Sequence, residues 1–267
     1  MANSASAILH SSSHEGHVEF EQPLSERMRT FLRIEFLYNQ ALYHAKNLDG
    51  FSARAAISTL LEILAILSRG DVRGEALKEL ERHVAILSSY ARRRDVDLNR
   101  VEELIENIQR LRTELSECSP QFINALKECE FLNMIKHRSS IPGGTCMFDL
   151  PDYAYWLRLP LAERANQFEE WIGGLRPVCD AVCEVLWLTR QTSEPSKQVA
   201  TSGMYQHQMD RSEQPSLVRV IVPPDASAFP EISAGKHRFT IRFVNWGGVE
   251  ARPKQIAEDI EFLLALG

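Results

Sequence analysis

The 267-residue chain lacks an excess of positive charge: 30 Lys and Arg stand against 36 Asp and Glu, a formal net charge of −6. A sequence-independent nucleic-acid binder is ordinarily basic overall, so that class starts at a disadvantage. Long apolar runs are missing too. The densest stretch, Ile57 to Leu67, is interrupted by Ser58, Thr59 and Glu62. It falls short of the ~18 residues that span a bilayer, and no membrane partner is expected. Cysteine is scarce, and its five copies (Cys118, Cys129, Cys146, Cys179, Cys183) make an odd number with no small-domain disulfide framework. Cys179 and Cys183 fall on one helical face with no histidine near them in sequence. Zinc sites favour Cys-x-x-Cys pairs and four ligands, so the expectation is reduced thiols in a cytoplasmic protein and no metal. The Ser- and Ala-rich start, residues 1–13, has neither the basic nor the apolar region of a signal peptide.

Fingerprints of catalysis are also absent. Pro142-Gly143-Gly144 is not followed by Gly-Lys-Ser/Thr, and no G-x-G-x-x-G, G-x-S-x-G, H-E-x-x-H or EF-hand loop occurs. The histidines are scattered, and Glu169-Glu170 reads as a solvated helix face. No catalytic residue and no cofactor is expected, and the chain reads as not an enzyme.

What is present is the material of a globular fold: 44% hydrophobic and 25% charged residues. At roughly 100–200 residues per domain, one or two domains are expected. From Ser25 the apolar pattern is helical, with Met28, Phe31, Leu32, Phe36 and Leu42 near the 3.6 period. A second helix is expected over Ser52 to Arg69, a third from Asp71 as its N-cap and a fourth following Asp97. Ser119-Pro120 opens a fifth, with proline at the first helical position. Short connections predict antiparallel neighbours in a bundle. Ser139 to Gly144 is a turn-rich break, and Cys146-Met147-Phe148 is expected as a short strand. Helical pattern resumes over Leu161 to Ile172 and Arg176 to about Arg190.

After Pro195 the period becomes two. Leu217 to Val222 alternates, His237 to Trp246 puts Phe239, Ile241 and Phe243 opposite Arg238, Thr240 and Arg242, and Ile260, Phe262 and Leu264 suggest a last strand. Helices first and strands afterwards predict an α+β fold, an N-terminal helical bundle with a smaller antiparallel β domain. Residues 197–255 hold eight Lys and Arg against five Asp and Glu, a local +3 within the anionic chain. A cationic strand face is a candidate docking surface for an acidic partner. Charged strand faces also serve simply to block edge aggregation.

Particular residues go further. Phe20-Glu21-Gln22-Pro23-Leu24-Ser25-Glu26-Arg27-Met28-Arg29 continues into Phe31-Leu32-Arg33-Ile34-Glu35. Later come Ser140 to Pro151, read SIPGGTCMFDLP, then Trp156-Leu157, Lys197-Gln198, Gly203-Met204-Tyr205-Gln206, Pro230-Glu231-Ile232-Ser233 and Lys236 to Phe243, read KHRFTIRF. In colinear order from Phe20 to Phe243 these closely resemble the ZapD (Z-ring-associated protein D) family of bacterial cell-division factors. The likeness departs at the N-terminal tail, is loose over residues 43–60 and ends after Trp246.

The resemblance implies a cytoplasmic, non-enzymatic homodimer recruited to the midcell division ring. It would bind the C-terminal tail of FtsZ, the tubulin-like GTPase, and bundle FtsZ protofilaments. It also implies a discontinuous β domain. The expected division is a disordered tail (1–16), a helical, dimerising domain (17–138 plus 151–192) and a β domain (139–150 plus 193–267) joined by a strand near 18–22. Arg238 and Arg242 are the first choices for gripping the acidic tail, because planar guanidinium forks suit carboxylates. Lys236 and Arg219 follow, with Arg69 at a helix end contributing from the helical side. Arg219 has a competing structural role, that of holding neighbouring elements together. The other functional reading is a nucleic-acid-binding adaptor using Arg92-Arg93-Arg94 and the same strand cations; the net negative charge and the absence of interleaved aromatics speak against it.

Overall fold

Aspartates set three of the helix starts. Asp49 accepts the amides of Phe51 and Ser52 at 3.1 and 2.9 Å, Asp71 that of Gly74 at 2.9 Å, and Asp97 those of Asn99 and Arg100 at 3.1 and 3.3 Å. Each satisfies N–H groups the helix cannot bond itself, worth about 1 kcal/mol per cap. The molecule is described by a computed structural model over residues 16–91, 96–118, 120–209, 215–235 and 237–267. The tail, Arg92-Arg93-Arg94 and Lys236 lie outside the described residues.

The helices are α1 (Glu26–Ala45), α2 (Gly50–Leu67), α3 (Val72–Tyr90), α4 (Leu98–Glu117), α5 (Pro120–Glu128), α6 (Glu130–Ser139), α7 (Pro151–Trp156), α8 (Leu161–Gly173) and α9 (Arg176–Gln191). Residues Arg29–Leu188 form one unit, whose regular elements among the described residues are all helices. Its core is built from the apolar stripes of α1, α2 and α9, including Phe31, Ile34, Ile57, Leu60, Val182 and Leu186, all fully buried. Phe131, Tyr153, Trp156 and Trp171 form an aromatic cluster beside it, with ring centroids about 6 Å apart. Contrary to the expectation from sequence, α2 is long and apolar enough to cross a membrane by length and composition, with mean hydropathy 1.6. The stripe of Ala53, Ala56, Ile57, Leu60 and Ile63 is nevertheless buried in the core of the helical unit, while Phe51 stays exposed.

Cys146-Met147-Phe148 is not a strand, and residues 139–150 belong to the helical unit. The chain there bonds to itself. Gly144 donates to the Ile141 carbonyl at 2.9 Å, Cys146 to that of Gly143 at 2.9 Å, and Leu150 to that of Cys146 at 2.9 Å. A side chain at Gly144 would run into the Arg138 carbonyl, and Gly143 has φ of 73°, so both glycines are needed for the fold-back. Period-two alternation over three residues is too short a signal to outweigh this.

His83 of α3 is fully buried, and burial, with Arg82 beside it, pushes its pKa from 6.5 down to about 4. Between those values the unfolded chain binds the proton and the folded one does not. Stability is therefore full above pH 6.5 and declines as pH falls towards 4. We expect the denaturation midpoint of the wild-type chain to drop across that window and His83→Gln to flatten the drop.

The β unit joins residues up to Met28 to Thr189–Gly267. Its strands are β1 (Val18–Pro23), β2 (Ser196–Ala200), β3 (Met204–Gln208), β4 (Leu217–Val222), β5 (Ala228–Ala234), β6 (Arg238–Asn245), β7 (Lys254–Gln255) and β8 (Ile260–Leu266). They make two antiparallel sheets, β1-β4-β8-β2 and β3-β6-β5, with β7 pairing β6. Val218, Val220, Phe262 and Leu264 of the first sheet share one buried cluster with Phe239, Ile241 and Phe243 of the second. The β unit is thus a small sandwich, discontinuous because β1 precedes all the helices.

Candidate partner-binding face

Strand β6 positions the candidate site by simple alternation. Phe239, Ile241 and Phe243 are fully buried on its inner side, which leaves Arg238, Thr240 and Arg242 on the outer side. Register supplies their neighbours. Arg242 lies between Met204 of β3 and Glu231 of β5, Thr240 between Gln206 and Ser233, and Arg238 opposite Gln208. The outer face of the second sheet is therefore a short ladder of Arg, Gln, Thr, Ser, Met and Glu on three strands. Beneath it, the His207 ring stacks on Phe239 at 4.9 Å and Tyr205 meets Phe262 edge-on at 5.3 Å, so the arginines stand on a packed floor.

The two arginines differ. Arg242 Nη2 donates to Glu231 Oε2 across the strands, and both side chains stay half exposed. A pair so open to solvent contributes about 0.2–1 kcal/mol, small enough for an incoming carboxylate to compete with Glu231. Arg238 is exposed and has no ion pair among the described residues. It is the less committed of the two guanidiniums.

Arg219 lies elsewhere. It is 6% exposed, in the middle of β4, whose six residues are all buried. Its Nη1 donates to the Arg190 carbonyl at the end of α9 at 2.9 Å, and its Nε faces Glu19 at 3.7 Å. Arg190 in turn holds Glu21 with two bonds of 2.8 Å. A guanidinium closed in this way ties β1, β4 and the last turn of α9 together, so the structural alternative for Arg219 is the one its surroundings support. Arg69 is exposed in the turn after α2, on the helical unit. Lys236 and Arg211 fall outside the described residues.

The local positive charge also divides in space. Lys197 and Arg219 sit on the first sheet, whereas Arg238, Arg242 and Lys254 sit on the second. Glu258, Asp259 and Glu261 follow the cationic stretch at once and lead into β8 of the first sheet. Met204, Gln206, Gln208 and Glu231 escaped the sequence reading as members of this face. The alternation of Met204 to Gln208 was a usable signal for β3, but Glu231 opposite Arg242 depends on register, which no local pattern gives. Among the described residues no group of three or more His, Cys, Asp or Glu could hold a metal ion. Cys179 is buried in α9, and burial pushes its thiol pKa well up.

A helical unit and a small discontinuous β sandwich with an arginine-bearing outer face define an α+β protein of a recognisable kind. The ZapD family model, described as a cell division protein, matches residues 32–242. A cell division protein ZapD of Methylococcus capsulatus is 34% identical over 252 residues, covering 94% of this chain and 98% of the relative. ZapD proteins of Escherichia coli and Shigella boydii are each 38% identical over 248 residues, covering 93% of this chain and 98% of theirs. The chain belongs to the ZapD family of cell division proteins.

Proposed function

We propose that the outer face of the β3-β6-β5 sheet grips the acidic C-terminal tail of FtsZ, and that a homodimer displaying this face twice crosslinks FtsZ protofilaments into bundles at the midcell ring. The observation that carries the reading is the placement of Arg238 and Arg242 four residues apart on the exposed face of β6, with Thr240 between them. Forked donors so held can meet carboxylates about four residues apart on one side of an extended peptide. The protein acts in the cytoplasm by binding rather than by turnover. Lys236 adjoins the same strand end in sequence, and Arg69 adds charge from the helical unit.

One such site is weak. Two sites on a dimer, facing filaments that present many tails, turn weak docking into bundling through effective concentration. The helical unit suits the dimer contact, because Phe36 and Tyr43 of α1 lie seven residues apart on one face and are 68% and 66% exposed. The test is co-sedimentation with FtsZ polymer. Wild-type chain should pellet with the polymer and lose pelleting as salt rises, since exposed charge contacts are screened within ~10 Å at 0.1 M. Arg238→Glu combined with Arg242→Glu should abolish pelleting at low salt. Unchanged pelleting of that variant would remove this face from the reading.

A further inference from the structure

We infer that the tail peptide docks as an added β-strand along the free edge of β3; this rests on the proposal that the arginine face binds that tail. The backbone geometry carries the inference. Phe243 N–H donates to the Gly203 carbonyl at 2.8 Å and Met209 N–H to that of His237 at 2.9 Å. In an antiparallel pair these fix the alternation: residues 203, 205, 207 and 209 turn their main-chain groups towards β6. Met204, Gln206 and Gln208 therefore turn theirs outward. Met204 N–H is taken by the Thr201 carbonyl at 3.0 Å in the turn before it, while no backbone bond reaches the outward groups of Gln206 and Gln208 among the described residues. The residues whose main chain faces outward also place their side chains on the face shared with Arg242, Thr240 and Arg238.

The other sheet edges suit an acidic strand less well. On β5 the Gly235 N–H to Arg238 carbonyl bond, 2.9 Å, sets the opposite alternation, so Pro230 stands at an outward position with no N–H to offer. On β1 the Leu24 N–H to Ser216 carbonyl bond, 2.8 Å, turns residues 19, 21 and 23 outward, which presents Glu19, Glu21 and another proline. The edge strand β2 belongs to the first sheet and carries Lys197 but no arginine. Among the described strands, β3 alone combines unblocked, outward main-chain groups with arginines on the next strand. A peptide strand ~4.8 Å beyond β3 lies two strand spacings from β6, a span that an arginine and an answering acidic side chain cover between them. Main-chain bonds would then supply affinity, and alternate carboxylates reaching Arg238 and Arg242 would supply selectivity.

The experiment leaves the protein untouched. A FtsZ C-terminal tail peptide is N-methylated at one backbone amide at a time, and each version is titrated against the wild-type, full-length chain by fluorescence anisotropy. Methylation of amides that face β3 should weaken binding about tenfold or more, and methylation of the alternate amides should change it less than about threefold. Such a period-two pattern supports the added strand. A flat profile, or losses three to four residues apart, would overturn strand addition while leaving the arginine face as the site, provided Arg238→Glu with Arg242→Glu still abolishes binding. Failure of the unmodified peptide to bind the wild-type chain would sink the tail-binding proposal and this inference together.

Discussion

Arg219→Ala is expected to destabilise the β unit by about 3 kcal/mol and to leave FtsZ binding by the folded fraction unchanged. The loss removes the Arg219 Nη1 donor from the Arg190 carbonyl at the end of α9 and the cation beside Glu19. Breaking a buried pair by deleting one partner costs about 3–5 kcal/mol. The Glu19 side chain keeps 20% of its exposure, which places the effect at the lower end. Arg219→Met, which keeps the bulk and loses the charge, should be no better, because the Glu19 carboxylate still loses its cation. Urea denaturation of the variant and co-sedimentation below its midpoint separate the two roles. Full stability with lost binding would make Arg219 a contact of the partner.

Phe243→Ala should cost about 3–5 kcal/mol, the usual range for emptying a fully buried aromatic site. Its ring meets Phe262 of the facing sheet at 5.2 Å, so the cavity opens in the joint between the two sheets. The hole cannot collapse without shifting β6, which carries both candidate arginines. Loss of tail binding is expected to follow the loss of structure. Urea titration followed by far-ultraviolet circular dichroism checks this; a midpoint within experimental error of wild type would mean that Phe243 does not hold the sandwich.

The order of helices and strands was legible because it rests on local chemistry. Asp71 and Asp97 announce their helices, and Phe239, Ile241 and Phe243 announce the buried face of β6. Helix α2 begins two residues before the expected Ser52, at Gly50, because Asp49 caps it. What the sequence did not disclose depends on long-range pairing. Arg219 looked like Arg238, a cation in an alternating strand, yet β4 is central in its sheet and buried on both faces. Glu231 was counted as one acid among five, and only the β5–β6 register reveals that it sits against Arg242. The outward main-chain groups of β3 belong to the same class, being fixed by which strand lies on which side.

The most direct measurement compares pelleting of the wild-type chain with full-length FtsZ polymer and with polymer whose C-terminal tail has been removed. Abundant co-sedimentation with bundles in the first case, and background recovery with single filaments in the second, is the expected result. Equal recovery on tailless polymer would contradict capture of the tail by the arginine face.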